Sequence, residues 1–177
     1  LAIEILLAHS LQAGAGQIAA IVGDAKASGP LRAQSLRLMA REQRGDPAFT
    51  RALEGALSAG ASAPLRRAAL DLLLPDQPAR LVTEAAVVLK SGGVPERQHA
   101  LSLLAQAAHP AADAVLNTFA DALVDGTCPP ALQLDVIEAL RARGDANRAL
   151  AGKLKSHAAS AGAAAQSELL AGGDPEL

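Results

Sequence analysis

Aromatic residues are almost missing from this sequence: Phe49 and Phe119 are the only two among 177 residues, and there is no Trp or Tyr. A core without them is filled by Ala, Leu and Val, which suit closely packed helices better than sandwiches rich in aromatic and β-branched side chains. Cysteine is nearly missing as well. Cys128 stands alone, so no disulfide forms within the chain, and haem attachment through C-x-x-C-H inside this segment is excluded. Free cysteine prefers burial, and a small buried or loop thiol is the reading taken for it. Excess basic charge is lacking too: 16 Lys and Arg against 18 Asp and Glu leave a formal charge of −2, no electrostatic footprint for nucleic acid. The shortage of aromatics removes the stacking platforms that bases use. No apolar run reaches the ~18 residues of a membrane span, and no basic stretch followed by an apolar one reads as a signal peptide.

What the chain does have is repetition. Pro30 opens PLRAQSLRLMAR, Pro64 opens PLRRAALDLLLP, Pro95 opens PERQHALSLLAQ, and Ala131, just after Pro130, opens ALQLDVIEALRA. Counted from each opening residue, offsets five to nine read Ser35-Leu36-Arg37-Leu38-Met39, Ala69-Leu70-Asp71-Leu72-Leu73, Ala100-Leu101-Ser102-Leu103-Leu104 and Val136-Ile137-Glu138-Ala139-Leu140. The middle offset is polar in every copy and its neighbours are mostly aliphatic. The starts lie 34, 31 and 36 residues apart, the period of a helical repeat array.

A second set of helices keeps step with the first, beginning near residues 47, 78, 110 and 146. Gly45-Asp46-Pro47 punctuates one such start: Gly45 suits a left-handed helix stop, Asp46 an N-cap and Pro47 the first helical position. Gly144-Asp145 repeats that punctuation. Leu53, Ala56 and Leu57 are expected on one face of the helix from Pro47. Leu81, Ala85, Val88 and Leu89 play that part after Pro78, and Leu116, Phe119, Ala120 and Leu123 after Pro110. Each helix pair has an apolar face too wide for one neighbour, so stacked pairs bury a continuous core. The expected fold is therefore all-α, a HEAT-like α-solenoid: a right-handed superhelix of about four to five helix pairs.

Residues 1–160 are assigned to the repeats. Ala2 to Leu6 fit offsets five to nine of a further copy, so the chain is expected to start inside a helix as a piece of a longer protein. Residues 161–177 are read as a separate junction. Small residues from Ala159 to Ala165 interrupt, Gln166 to Ala171 make a short helix, and Gly172-Gly173 end it. Asp174-Pro175 then reads as the start of another helix.

Catalytic motifs do not survive inspection. His9, His99, His109 and His157 have no metal-binding spacing, and surface or capping roles are the better reading. Gly14-Ala15-Gly16-Gln17-Ile18-Ala19 matches G-x-G-x-x-A, but that fingerprint needs a strand running into its first glycine, and a repeat helix precedes it instead. No G-x-S-x-G elbow or Walker A sequence is present. The expectation is thus no catalytic residue, no metal ligand and no cofactor-binding residue in this chain. Second helices commonly line the concave side of a solenoid. Arg51, Glu54, Glu84, Asp113, Asn117 and Asp121 are accordingly nominated as a partner-binding surface.

The segment Val94 to Leu140, VPERQHALSLLAQAAHPAADAVLNTFADALVDGTCPPALQLDVIEAL, resembles the helical-repeat region of large secreted haem-binding proteins of planctomycetes and verrucomicrobia, often labelled membrane-bound dehydrogenases. In that family such repeats are followed by a short helix, a Gly-Gly-Asp sequence and a cytochrome c domain. Ser167 to Asp174, SELLAGGD, resembles that junction, and Pro175-Glu176-Leu177 the entry to the cytochrome's first helix. The resemblance implies a parent oxidoreductase carrying c-type haem, a periplasmic or secreted location, and a role for this segment as spacer and interaction module. Its partners would be proteins or neighbouring domains of the same chain. Two other classes stand beside it: a stand-alone HEAT-repeat adaptor, and an enzyme acting through such repeats, for example on DNA or a bilin. The acidic balance counts against the DNA version, and the bilin version has no identifiable site.

Overall fold

The structure, a computed structural model, describes residues 16–144 and 147–171, and every regular element among them is an α-helix. In chain order these are α1, described over residues 16–23, then α2 Gly29–Glu42, α3 Pro47–Leu57, α4 Ala63–Leu73, α5 Pro78–Ser91, α6 Val94–Gln106, α7 Pro110–Val124, α8 Pro130–Gly144 and α9 Arg148–Ala171. All four first helices of the repeat, α2, α4, α6 and α8, start one residue before the position the sequence suggests. In α2, α4 and α6 the proline sits in the first turn, where its missing N–H would lack a partner anyway.

Caps fix the remaining starts. The Asp46 carboxylate accepts from the Ala48 N–H at 2.7 Å, as the Gly-Asp-Pro punctuation predicts. His109 Nδ1 accepts from the Ala111 N–H at 3.2 Å, and Ser28 Oγ from the Leu31 N–H at 3.4 Å. At α9, Asn147 Oδ1 accepts from Ala149 at 3.1 Å and Leu150 at 3.3 Å. Helix ends diverge more from expectation. Gly45 is not a left-handed stop: α2 ends at Glu42 with Gln43 as C-cap, and Gly126 alone among the described residues has positive φ, at 71°. There the Thr127 N–H reaches the Ala122 carbonyl at 2.8 Å and the Gly126 N–H reaches Leu123 at 3.3 Å, a Schellman stop for α7.

The molecule divides into two compact units between Glu84 and Ala85. In the first, α2 lies along α4, and α3 packs on both. In the second, α6 lies along α8 and α7 along α9, with α7 on α6 and α8, and α9 against α8. The same neighbour rule operates in each: a first helix stacks on the next first helix, and the second helix between them bridges the two.

Offsets five and nine are buried in all four first helices: Ser35 and Met39, Ala69 and Leu73, Ala100 and Leu104, Val136 and Leu140. Offset six joins them in Leu36, Leu70 and Leu101, all fully buried. At about 100° per residue these three offsets share one stripe, and offset seven turns about 200° away from offset five. That is why it is polar. Offset eight is the variable one, exposed at Leu38 and buried at Leu103 and Ala139. On the second helices Leu53, Ala56, Leu81, Ala85, Val88, Leu89, Leu116, Ala120 and Leu123 are buried as expected, whereas Leu57 and Phe119 are only half-buried.

The last helix differs from the sequence reading. A break over Ala159 to Ala165 was expected, yet α9 continues unbroken to Ala171. Alanine has the highest helix propensity, and the two glycines within α9, Gly152 and Gly162, each cost only about 1 kcal/mol. The Gly172-Gly173-Asp174 junction, Gly14 and Ala15 of the G-x-G-x-x-A match, His9, the copy at Ala2 to Leu6, and Asp145 lie outside the described residues.

Candidate functional site

The six nominated residues lie on second helices: Arg51 and Glu54 on α3, Glu84 on α5, and Asp113, Asn117 and Asp121 on α7. Five of them are engaged within their own unit. Glu54 Oε2 accepts from Arg80 Nη2 at 2.6 Å, while Arg80 Nε stands 3.9 Å from Glu84 Oε1, so one guanidinium serves two carboxylates. In the second unit Arg143 of α8 donates from Nε to Asp113 Oδ1 at 2.7 Å and from Nη1 to the Ala107 carbonyl at 2.6 Å. That pair is well shielded, its side chains 14% and 26% exposed. Lys153 of α9 donates to Asn117 Oδ1 at 2.7 Å and forms an ion pair with Asp121. Only Arg51 among the six has no partner among the described residues.

First helices carry a matching series. Arg37 reaches Asp71 at 3.1 Å, so the polar middle offset of α2 pairs with that of α4. Gln98 Nε2 donates to Asp135 Oδ2 and to the Ala131 carbonyl, both at 3.0 Å. Exposed pairs of this kind contribute roughly 0–1 kcal/mol each, enough to favour one register over a slipped one but little more.

A further group went unnoticed in the sequence although its signal was there: offset two. Arg32, Arg66, Arg97 and Gln133 hold it in the four copies. Arg32 Nε donates to the Val22 carbonyl at 2.8 Å. Arg66 Nη2 lies 2.9 Å from the carbonyls of Ala59 and Ala61. Gln133 Nε2 donates to the Cys128 carbonyl at 3.2 Å. Each side chain reaches back and holds the end of the preceding helix or connector. Arg97 is the exception, its Nε buried without a partner while its charge stands near Cys128.

Cys128 itself is buried, and that burial pushes the thiol above its ordinary range, with the Arg97 charge opposing. A protonated, enclosed thiol is a poor nucleophile. Glu96, the one buried carboxylate among the described residues, receives the Gly93 N–H at 3.2 Å at the start of α6 and so closes a helix end. His109 is a cap, and His99 and His157 are half-buried on separate helices. Among the described residues no three His, Cys, Asp or Glu side chains group so as to hold a metal ion. Gly16 begins the described part of α1, and no strand occurs among the described residues. No helix among them is long and apolar enough to cross a membrane.

Three of the grooves that indent the surfaces are lined by described residues. One of about 210 Å3 runs between α6 and α8, lined by Gln98, Ser102, Asp135 and Glu138. One of about 340 Å3 has Leu89, Lys90, Val115 and Phe119 on its walls. The third, about 370 Å3, lies between α1 and α3 and includes Arg32 and Arg51. Compared with protein-family models, with curated proteins and with solved structures, the chain matches none.

Proposed function

We propose that this chain is a non-catalytic, HEAT-like repeat scaffold, a segment that presents helix faces to a partner or holds neighbouring domains at a set spacing. The observation that supports this most is the recurrence of one packing rule in both units, α2 along α4 and α6 along α8, with the polar middle offset kept outside. Stacking by a repeated rule is the physical basis of extended binding surfaces in solenoids. Glu54, Asp113, Asn117 and Asp121 of the second helices tie neighbouring helices together, a structural use that needs no substrate.

The parent we propose is a secreted, haem-binding, dehydrogenase-like protein, on the resemblance of Val94 to Leu140 and of Ser167 to Asp174. In that setting the segment would bear no haem ligand itself and would stand next to a c-type cytochrome domain. The test is a longer product of the same gene, extended past Leu177 and produced where c-type haem is attached. A reduced-minus-oxidised visible spectrum of c-type haem is the expected result; its lack, or a stop codon after Leu177, removes the parent and leaves an adaptor. One observation favours that second reading. Phe119 is half-buried on the wall of the α5 and α7 groove, and elsewhere on α5 Val87 is 56% exposed, apolar surface of the kind protein partners cover.

A further inference from the structure

The groove between α1 and α3 carries two arginines with no ion-pair partner among the described residues. Its walls are small, with Ala48, Ala52 and Gly55 on α3 and Val22 on α1, which leaves a space of about 370 Å3. Two arginines line it, Arg32 from α2 and Arg51 from α3, and among the described residues no Asp or Glu does. Arg32 is held in place through its Nε on the Val22 carbonyl at 2.8 Å, and its two Nη groups have no other partner among the described residues. Arg51 has none among the described residues. Glu54, on the same helix as Arg51, is paired with Arg80 at 2.6 Å.

We infer that this groove is a binding site for a carboxylate on a short aliphatic stem. The guanidinium fork matches a carboxylate's two oxygens, and a pinned fork loses less freedom when the bond forms. Alanine, valine and glycine walls supply contact for methylene groups, which inorganic phosphate lacks. The chemistry is met by a free short-chain dicarboxylate and equally by a glutamate side chain of a partner segment. The site stands whether or not the repeats belong to a haem-binding parent.

The full chain, labelled with 15N, is titrated with glutarate, with a capped Ala-Glu-Ala peptide and with inorganic phosphate. Saturable shifts of the Ala52 and Gly55 amides by glutarate or the peptide are expected, with a dissociation constant on the order of 1 mM for so small a ligand. The tighter of the two identifies the source. Arg51→Gln, at an exposed position with no partner to lose, should weaken binding by about tenfold or more. Gly55→Leu fills the groove without altering charge and should abolish binding while the helical circular dichroism stays intact. Three results overturn the inference: no saturable shift from either carboxylate, binding undiminished in both variants, or phosphate binding more tightly than glutarate.

Discussion

Gly126 and Gly55 both have open space where a Cβ would be placed, yet replacing them with alanine should have opposite effects. At Gly126, φ is +71°, which an L-residue adopts at a cost of about 1–2 kcal/mol, so Gly126→Ala should destabilise by roughly 1 kcal/mol. At Gly55, inside α3 with no positive φ, alanine removes unfolded-state freedom and should stabilise by up to about 1 kcal/mol. Urea unfolding followed by circular dichroism reads both. Cys128 gives a third test at this scale. Its native thiol should react with iodoacetamide far more slowly than in denaturant, since burial encloses it and holds it protonated. The sign of its pH effect follows. The folded thiol keeps its proton to higher pH than the unfolded one, so its contribution is whole below the ordinary thiol range. Stability then drains as pH rises through that range toward the folded value. Cys128→Ser should flatten this alkaline decline.

Among elements, the pairing of α7 with α8 depends on Arg143 more than on any exposed ion pair. Arg143→Met leaves Asp113 and the Ala107 carbonyl without their donor in a shielded site and should cost about 2 kcal/mol. Arg41→Met, whose exposed pair with Glu42 spans adjacent residues, should change stability by no more than about 0.5 kcal/mol. Leu103→Asp, placing an unpaired charge at a site 4% exposed between α6 and its neighbours, should cost more than ~3 kcal/mol. These helices were legible in the sequence because prolines and short polar caps mark starts chemically: Pro47 and Pro110 open α3 and α7 as read. Stops were less legible. Gly45 and Gly126 look alike in sequence, and only the second takes a left-handed conformation, which depends on where the chain must turn next. The run from Ala159 to Ala165 misled for a related reason, since small residues read as a linker while alanine continues a helix. The nominated surface residues lie on the helices expected, and five of the six are engaged within their own unit. Sequence shows that Glu54 and Asp113 are charged and on second helices; it does not show that Arg80 and Arg143 reach them.

At the scale of the whole molecule, stability rests on aliphatic burial repeated from pair to pair, with the ion pairs adding little. Raising salt from about 0.05 to 0.5 M should therefore lower the free energy of unfolding by less than ~2 kcal/mol, measured by urea titration at each salt concentration. The groove proposed to bind a carboxylate should be the more sensitive of the two, its affinity falling steeply with salt. The offset-two side chains carry one further consequence. Arg32, Arg66 and Gln133 each grip the segment that comes before their own helix, never the one that follows the pair. For the copies held by Arg66 and Gln133, whose grips fall on connector carbonyls, the interchangeable cassette is thus a connector together with the two helices after it. A graft cut at Ser58 moves a pair with its own clasp closed, whereas a graft cut at Pro64 leaves Arg66 holding a foreign loop.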